Sequence, residues 1–116
     1  MTRTAELRGA ILARNALLAR RRQLATLAAG LRAEEDELHA GRRPDQLDRA
    51  ADLEKEGVLE TLQAVENREL GEVDAALERL ARGTYGRCER CSQPIGQLRL
   101  RAVPEARLCM ICAARP

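Results

Sequence analysis

The sequence contains no tryptophan and no phenylalanine, and Tyr85 is its only aromatic residue. Compact cores draw much of their buried area from aromatic rings. This chain therefore cannot build a large globular core. It has no apolar run of about 18 residues, which excludes a transmembrane helix, and no membrane partner is expected. Its start, Met1-Thr2-Arg3-Thr4-Ala5-Glu6, is basic but is followed by no apolar segment and no A-x-A-like site. A secretory signal is not expected, and a cytoplasmic location is. Lysine occurs once, at Lys55, and histidine once, at His39. Proline is missing from the whole stretch between Thr4 and His39.

Charged residues make up 33% of the chain, which is rich in Ala, Leu, Arg and Glu. That is the profile of long helices and coiled coils. Leu17, Leu24, Leu31 and Leu38 follow a strict seven-residue step, with Leu27 and Ala28 between and Leu7, Ile11 and Leu18 widening the stripe. A long amphipathic helix over about 4–39 is predicted. Gly9 and Gly30 each cost it about 1 kcal/mol against alanine, so it needs a partner. Arg20-Arg21-Arg22 reads first as a solvated helix face, and second as a nucleic-acid or membrane patch. Gly41 and Pro44 then break the helix.

The break is short, so a second helix, from about Asp45 to Arg82, must fold back antiparallel. Its apolar positions are read as Leu47, Ala50, Ala51, Val58, Leu62 and Val65, then Leu70, Val73, Leu77 and Leu80. The register slips between Val65 and Leu70, and a local irregularity is expected near Gly71. At about 1.5 Å per residue this helix is roughly 55 Å long. Residues 1–82 are thus an antiparallel coiled-coil hairpin with its tip at 41–48, and Gly83 closes it as a C′ residue. The fold class is mostly α, with a small module at 83–116.

That module holds the only four cysteines, as Cys88-Glu-Arg-Cys91 and Cys109-Met-Ile-Cys112, with seventeen residues between the pairs. Each C-x2-C places two thiolates on one side of a tight turn, and two such turns make a tetrahedral S4 cage suited to one Zn²⁺. A full S4 set leaves no position for water, so the metal is structural. A pair of redox C-x-x-C motifs would need a βαβ setting, and a disulfide framework would need an oxidising compartment. Between the pairs, Pro94-Ile95-Gly96 reads as a turn and Leu98-Arg99-Leu100-Arg101-Ala102-Val103 alternates as a short strand would. Pro104-Glu105 reads as another turn.

The formal charge is +2, and four thiolates with one Zn²⁺ bring it to zero. That is not the footprint of a protein that holds nucleic acid through its backbone. At the tip, Asp45 reads as an N-cap, and Asp48 suits the positive end of the helix dipole. The same two carboxylates also stand at the end of a long rod, where they can reach into a partner. His39 reads as a solvated helix-end residue, and Tyr85 as packing over the zinc turn.

A helical hairpin with Asp45, Asp48 and Ala50 at its tip, then Gly83, Tyr85, Gly86, the four cysteines, Ile95, Gly96 and Pro104, resembles the DksA/TraR regulators of bacterial RNA polymerase. The resemblance covers about 44–112. It implies a transcription regulator whose tip enters the secondary channel of the polymerase to modulate initiation, without sequence-specific DNA contact. Asp45 and Asp48 would be the effector acids and Ala50 the small residue that lets the tip pack closely. The zinc on Cys88, Cys91, Cys109 and Cys112 would hold the base.

Relatives that answer to ppGpp carry basic residues where this chain has Glu72, Val103 and Ala113, so ppGpp is not expected at that surface. A monomer is expected. The competing readings are a zinc-finger nucleic-acid binder using Arg87, Arg90, Arg99, Arg101 and Arg107, and a structural coiled-coil adaptor or dimer. No nucleophile–base pair and no phosphate-binding glycine loop is present, so an enzyme is not expected.

Overall fold

The protein is described by a computed structural model covering residues 2–40 and 46–116, with side chains described over 4–40 and 49–116. The predicted break at 41–44 lies outside the described residues. Two long helices dominate: α1 (Thr2–Ala40, 39 residues) and α2 (Gln46–Arg82, 37 residues). Two short helices follow, α3 (Gln97–Ala102) and α4 (Met110–Ala114). α1 and α2 pack together antiparallel as the mostly α hairpin read from the sequence. Glu35 bonds Gln63 and His39 bonds Glu56, so a rising number on one helix meets a falling number on the other.

The chain divides into two compact units, one of residues 1–21 with 71–116, the other of residues 22–70. In the first, Leu17, Val73 and Ala76 are fully buried. Burying a leucine or valine contributes roughly 1.5–3 kcal/mol, so a few such residues hold the helices together here. In the second, Leu24, Ala28 and Leu59 are buried.

The seam of α2 differs from the predicted one. Its buried or half-buried positions include 52, 56, 59, 63, 66, 70, 73, 77 and 80, a 4-3 alternation that runs unbroken through Gly71, with 65, 69, 72, 75, 76 and 79 widening it. The irregularity expected there is absent, and the helix is continuous. The slip came from following apolar residues: Ala50 and Ala51 are exposed, as are Val58 (59%) and Leu62 (43%). The true seam instead carries Asp52, Glu56, Gln63 and Glu66, which a hydrophobic pattern search passes over. Leu59 and Ala76 are the buried residues that the sequence reading missed. On α1, Leu7 and Ile11 are exposed, so the stripe starts effectively at Leu17.

α2 ends as predicted. Gly83 has φ 80°, its N–H donates to the Leu80 carbonyl (3.3 Å), and the Thr84 N–H donates to the Arg79 carbonyl (2.9 Å). This 6→1 and 5→2 pair is the Schellman arrangement, and the left-handed φ is one that glycine adopts without a Cβ penalty. The chain is thereby turned directly into the cysteine module.

Residues 98–103 are not a strand. They form α3 and its cap, with the Leu100 N–H bonded to the Gly96 carbonyl (3.1 Å) and the Val103 N–H to the Arg99 carbonyl (2.7 Å). Six residues are too few for alternation to tell a strand from a helical turn, and no partner strand lies among the described residues to complete a ladder. The helix packs Leu100 inward and leaves Leu98 80% exposed.

Candidate metal centre

The module is built by two knuckles and a short connection. In the first, the Ser92 N–H bonds to the Cys88 carbonyl (2.9 Å), and the Cys88 N–H bonds to the Gln93 carbonyl (2.8 Å). Ser92 takes a left-handed φ of 64° to complete the turn, and Arg87 bridges antiparallel to Pro94. The Ile95 N–H bonds the Gly86 carbonyl (2.8 Å) and pins the return strand of the knuckle. A Cβ on Gly86, itself at φ 84°, would meet Leu100 Cδ1 at 3.5 Å. In the second knuckle, Cys109 caps α4, and its sulfur accepts from the Cys112 N–H (3.5 Å).

The four sulfurs lie within 4.8 Å of one another, and Cys91 Sγ is 3.8 Å from Cys109 Sγ. A ZnS4 tetrahedron with bonds of about 2.3 Å has sulfur–sulfur edges of about 3.8 Å. All four cysteines are free, and a disulfide would need a separation near 2.05 Å. Cys88, Cys109 and Cys112 are buried, while Cys91 faces solvent.

The thiol energetics call for a cation. Backbone N–H groups around Cys109 and Cys91 lower Cys88 to about 6, and those near Cys112 lower Cys109. Cys112 is pushed up to about 12 by burial, then by the neighbouring sulfurs. Four thiolates cannot share this volume without a positive charge among them. One structural Zn²⁺ held by Cys88, Cys91, Cys109 and Cys112 meets that requirement. Ile95 and Ala106, with Leu100 and Leu108 against them, complete the small core around the sulfurs.

Ion pairs join the module to the helices of the same unit. Arg107 lies 3.0 Å from Glu72 and 3.6 Å from Glu89, and Arg79 lies 3.6 Å from Glu89. Arg79 also donates to the Glu105 carbonyl (3.4 Å), and Arg20 lies 3.7 Å from the Glu105 carboxylate. Within the module, the Tyr85 hydroxyl donates to the Pro104 carbonyl at 2.9 Å. Burial raises the Tyr85 phenol, against the lowering effect of Arg79. Of the arginines considered as a nucleic-acid face, Arg87 bonds the Ser92 carbonyl, Arg90 the Cys112 carbonyl and Arg99 the Leu108 carbonyl. These side chains stitch the zinc module together. Arg21, in the basic run of α1, bonds Asp74 at 2.8 Å.

Of the tip residues, Asp45 lies outside the described residues, as does the side chain of Asp48, whose backbone is in α2. Ala50 is exposed on α2. His39, at the end of α1, is exposed but not merely solvated: its Nε2 is 2.7 Å from Glu56 Oε1.

A zinc-knuckle module carried on an antiparallel helical hairpin defines the class. Residues 83–116 match the prokaryotic dksA/traR C4-type zinc finger family, and residues 14–80 match the DnaK suppressor protein-like N-terminal domain family. The chain belongs to the DksA/TraR family. It is similar to transcription factor DksA2 from Pseudomonas aeruginosa, with a TM-score of 0.82 and 36% identity over 90% of this chain and 79% of that one. It is also similar to the DnaK suppressor protein of Agrobacterium tumefaciens, with a TM-score of 0.58 and 38% identity over 88% of each chain. An uncharacterized protein of Aquifex aeolicus is 48% identical over 58 residues, and general stress protein 16O of Bacillus subtilis is 43% identical over 49. The matched segments span 40% and 30% of those two relatives' lengths. Family membership supports a transcription-factor-like role. No described helix is long and apolar enough to cross a membrane.

Proposed function

We propose that this protein is a regulator of bacterial RNA polymerase that inserts the acidic tip of its hairpin into the secondary channel and modulates initiation. The observation that carries the reading is family membership across both parts of the chain, joined to the acid pair Asp45, just before α2, and Asp48, at its start. A carboxylate pair can act on a catalytic centre only if it is delivered there, and long helices are a means of delivery. Asp45 and Asp48 are the effector acids in this reading, and Ala50 leaves room for close approach. The zinc module is the base that docks outside the channel. The protein itself performs no catalysis, works in the cytoplasm as a monomer, and reads no DNA sequence.

We further propose that ppGpp does not act through the zinc-module face. Glu72 is ion-paired to Arg107, and Val103 and Ala113 offer no charge to a polyphosphate. The adaptor or dimer reading is favoured by one observation, the exposure of Leu27, Val58 and Leu62 on the second unit. Sedimentation at several concentrations separates it from a monomer.

The deciding experiment pairs a pull-down of the host's core RNA polymerase with abortive initiation, using wild type and the Asp45→Asn, Asp48→Asn double variant. Binding by both with an effect from wild type alone is the expected result. Loss of binding in the double variant would make the acids docking residues, and absence of binding by wild type would end the polymerase reading.

A further inference from the structure

The second unit holds a group of side chains that the polymerase reading does not use. Glu35 and Glu56 both lie on the helix seam, where apolar side chains would ordinarily contribute burial energy. His39 stands four residues after Glu35, hence on the same face of α1. One ligand atom from each of Glu35, His39 and Glu56 lies within 4.8 Å of the other two. His39 Nε2 is already 2.7 Å from Glu56 Oε1. Gln63, also on the seam, donates its amide to Glu35 Oε2 at 2.5 Å and holds that carboxylate in place.

The His39–Glu56 ion pair leaves the Glu35 carboxylate close by, bonded to Gln63, which supplies no charge. Two carboxylates outnumber the one imidazole, so the three side chains together carry excess negative charge. A divalent cation balances it with His39 neutral. One imidazole nitrogen and two carboxylate oxygens, drawn from two helices, form a borderline-to-hard donor set. The amide of Gln63 supplies the outer hydrogen bond that metal-binding carboxylates commonly have.

We propose that Glu35, His39 and Glu56 form a second metal site, separate from the four cysteines, that takes a divalent first-row ion of the Zn²⁺, Ni²⁺ or Co²⁺ class. Soft monovalent copper is excluded by the lack of sulfur. The ligands are half-buried or exposed, so water completes the coordination sphere and the ion exchanges readily. Because His39 lies in the last turn of α1, a bound ion clips the end of that helix to α2. This site stands whether or not the polymerase reading does.

The test uses tag-free full-length protein with one zinc per chain, confirmed by elemental analysis. Zn²⁺ is titrated in by calorimetry, and the ring signals of His39, the only histidine, are followed by NMR. The expected result is one further equivalent, at micromolar rather than tighter affinity, with a shift of the His39 ring nitrogen. Glu56→Gln should weaken it at least tenfold, and His39→Ala should abolish it. Binding of a single zinc with unmoved His39 signals would overturn the proposal. So would a second equivalent that persists in His39→Ala. Should a variant fail to fold, the His39 shift in the wild type still decides.

Discussion

The two compact units share the same pair of helices but are held by different means. The first buries Leu17, Val73 and Ala76 and adds a sulfur cage with a ring of ion pairs around it. The second buries Leu24, Ala28 and Leu59 but spends much of its seam on Asp52, Glu56, Gln63 and Glu66. One Glu66 oxygen there is buried with no hydrogen-bond partner. One coiled-coil scaffold can thus be apolar and metal-anchored at one stretch and polar at another. Polar seams give up burial energy, so they are where ligands, switches or partners are to be sought.

The comparison is broken most severely by removing zinc. Apparent metal contributions in small zinc modules are about 10–16 kcal/mol, so Cys109→Ser or a strong chelator should unfold residues 83–116. Hydrogen exchange should then rise across the module while the amides of 22–70 stay protected. Equal loss of protection over 22–70 would show that the two units fold as one. Acid should act in the same direction. Cys88 is held at about 6 against an ordinary value of 9, so its thiolate stabilises fully above pH 9 and is lost as the pH falls through 6. Because protons compete with the metal for the thiolates, zinc should be released into a chromophoric chelator as the pH falls.

The next effect contrasts one seam residue from each unit. Leu17→Ala opens a cavity in the apolar unit and should cost about 2–5 kcal/mol. Glu66→Leu removes a buried oxygen without a partner and should stabilise by roughly 1–3 kcal/mol. Chemical denaturation of both variants checks the pair, and a destabilising Glu66→Leu would show that this carboxylate is needed where it lies. The smallest effect should come from Arg107→Ala. Its partners Glu72 and Glu89 are half-exposed, so the loss should stay below about 1 kcal/mol and shrink further in high salt. A larger loss would mean that these ion pairs carry more of the contact between the module and its helices than their exposure allows.

Much of this was legible in the chain itself. Proline-free heptads predicted α1 and α2 to within two residues of their described ends, because helix periodicity is a local property repeated over many turns. Gly83 was legible as a cap because a positive φ selects glycine. The four cysteines announced their cage, since two C-x2-C turns have few other uses in a chain of this composition. The tertiary structure alone decided the rest. Which face of α2 is the seam depends on what α1 presents to it, so Leu59 is buried while Leu62 is exposed. Residues 97–102 became α3 because Leu100 had a core to reach and, among the described residues, no strand to pair with. Glu35, His39 and Glu56 are spread over 22 positions and form no motif. Only the antiparallel register brings their ligand atoms within reach of one ion, because proximity between helices is set by packing and not by sequence spacing.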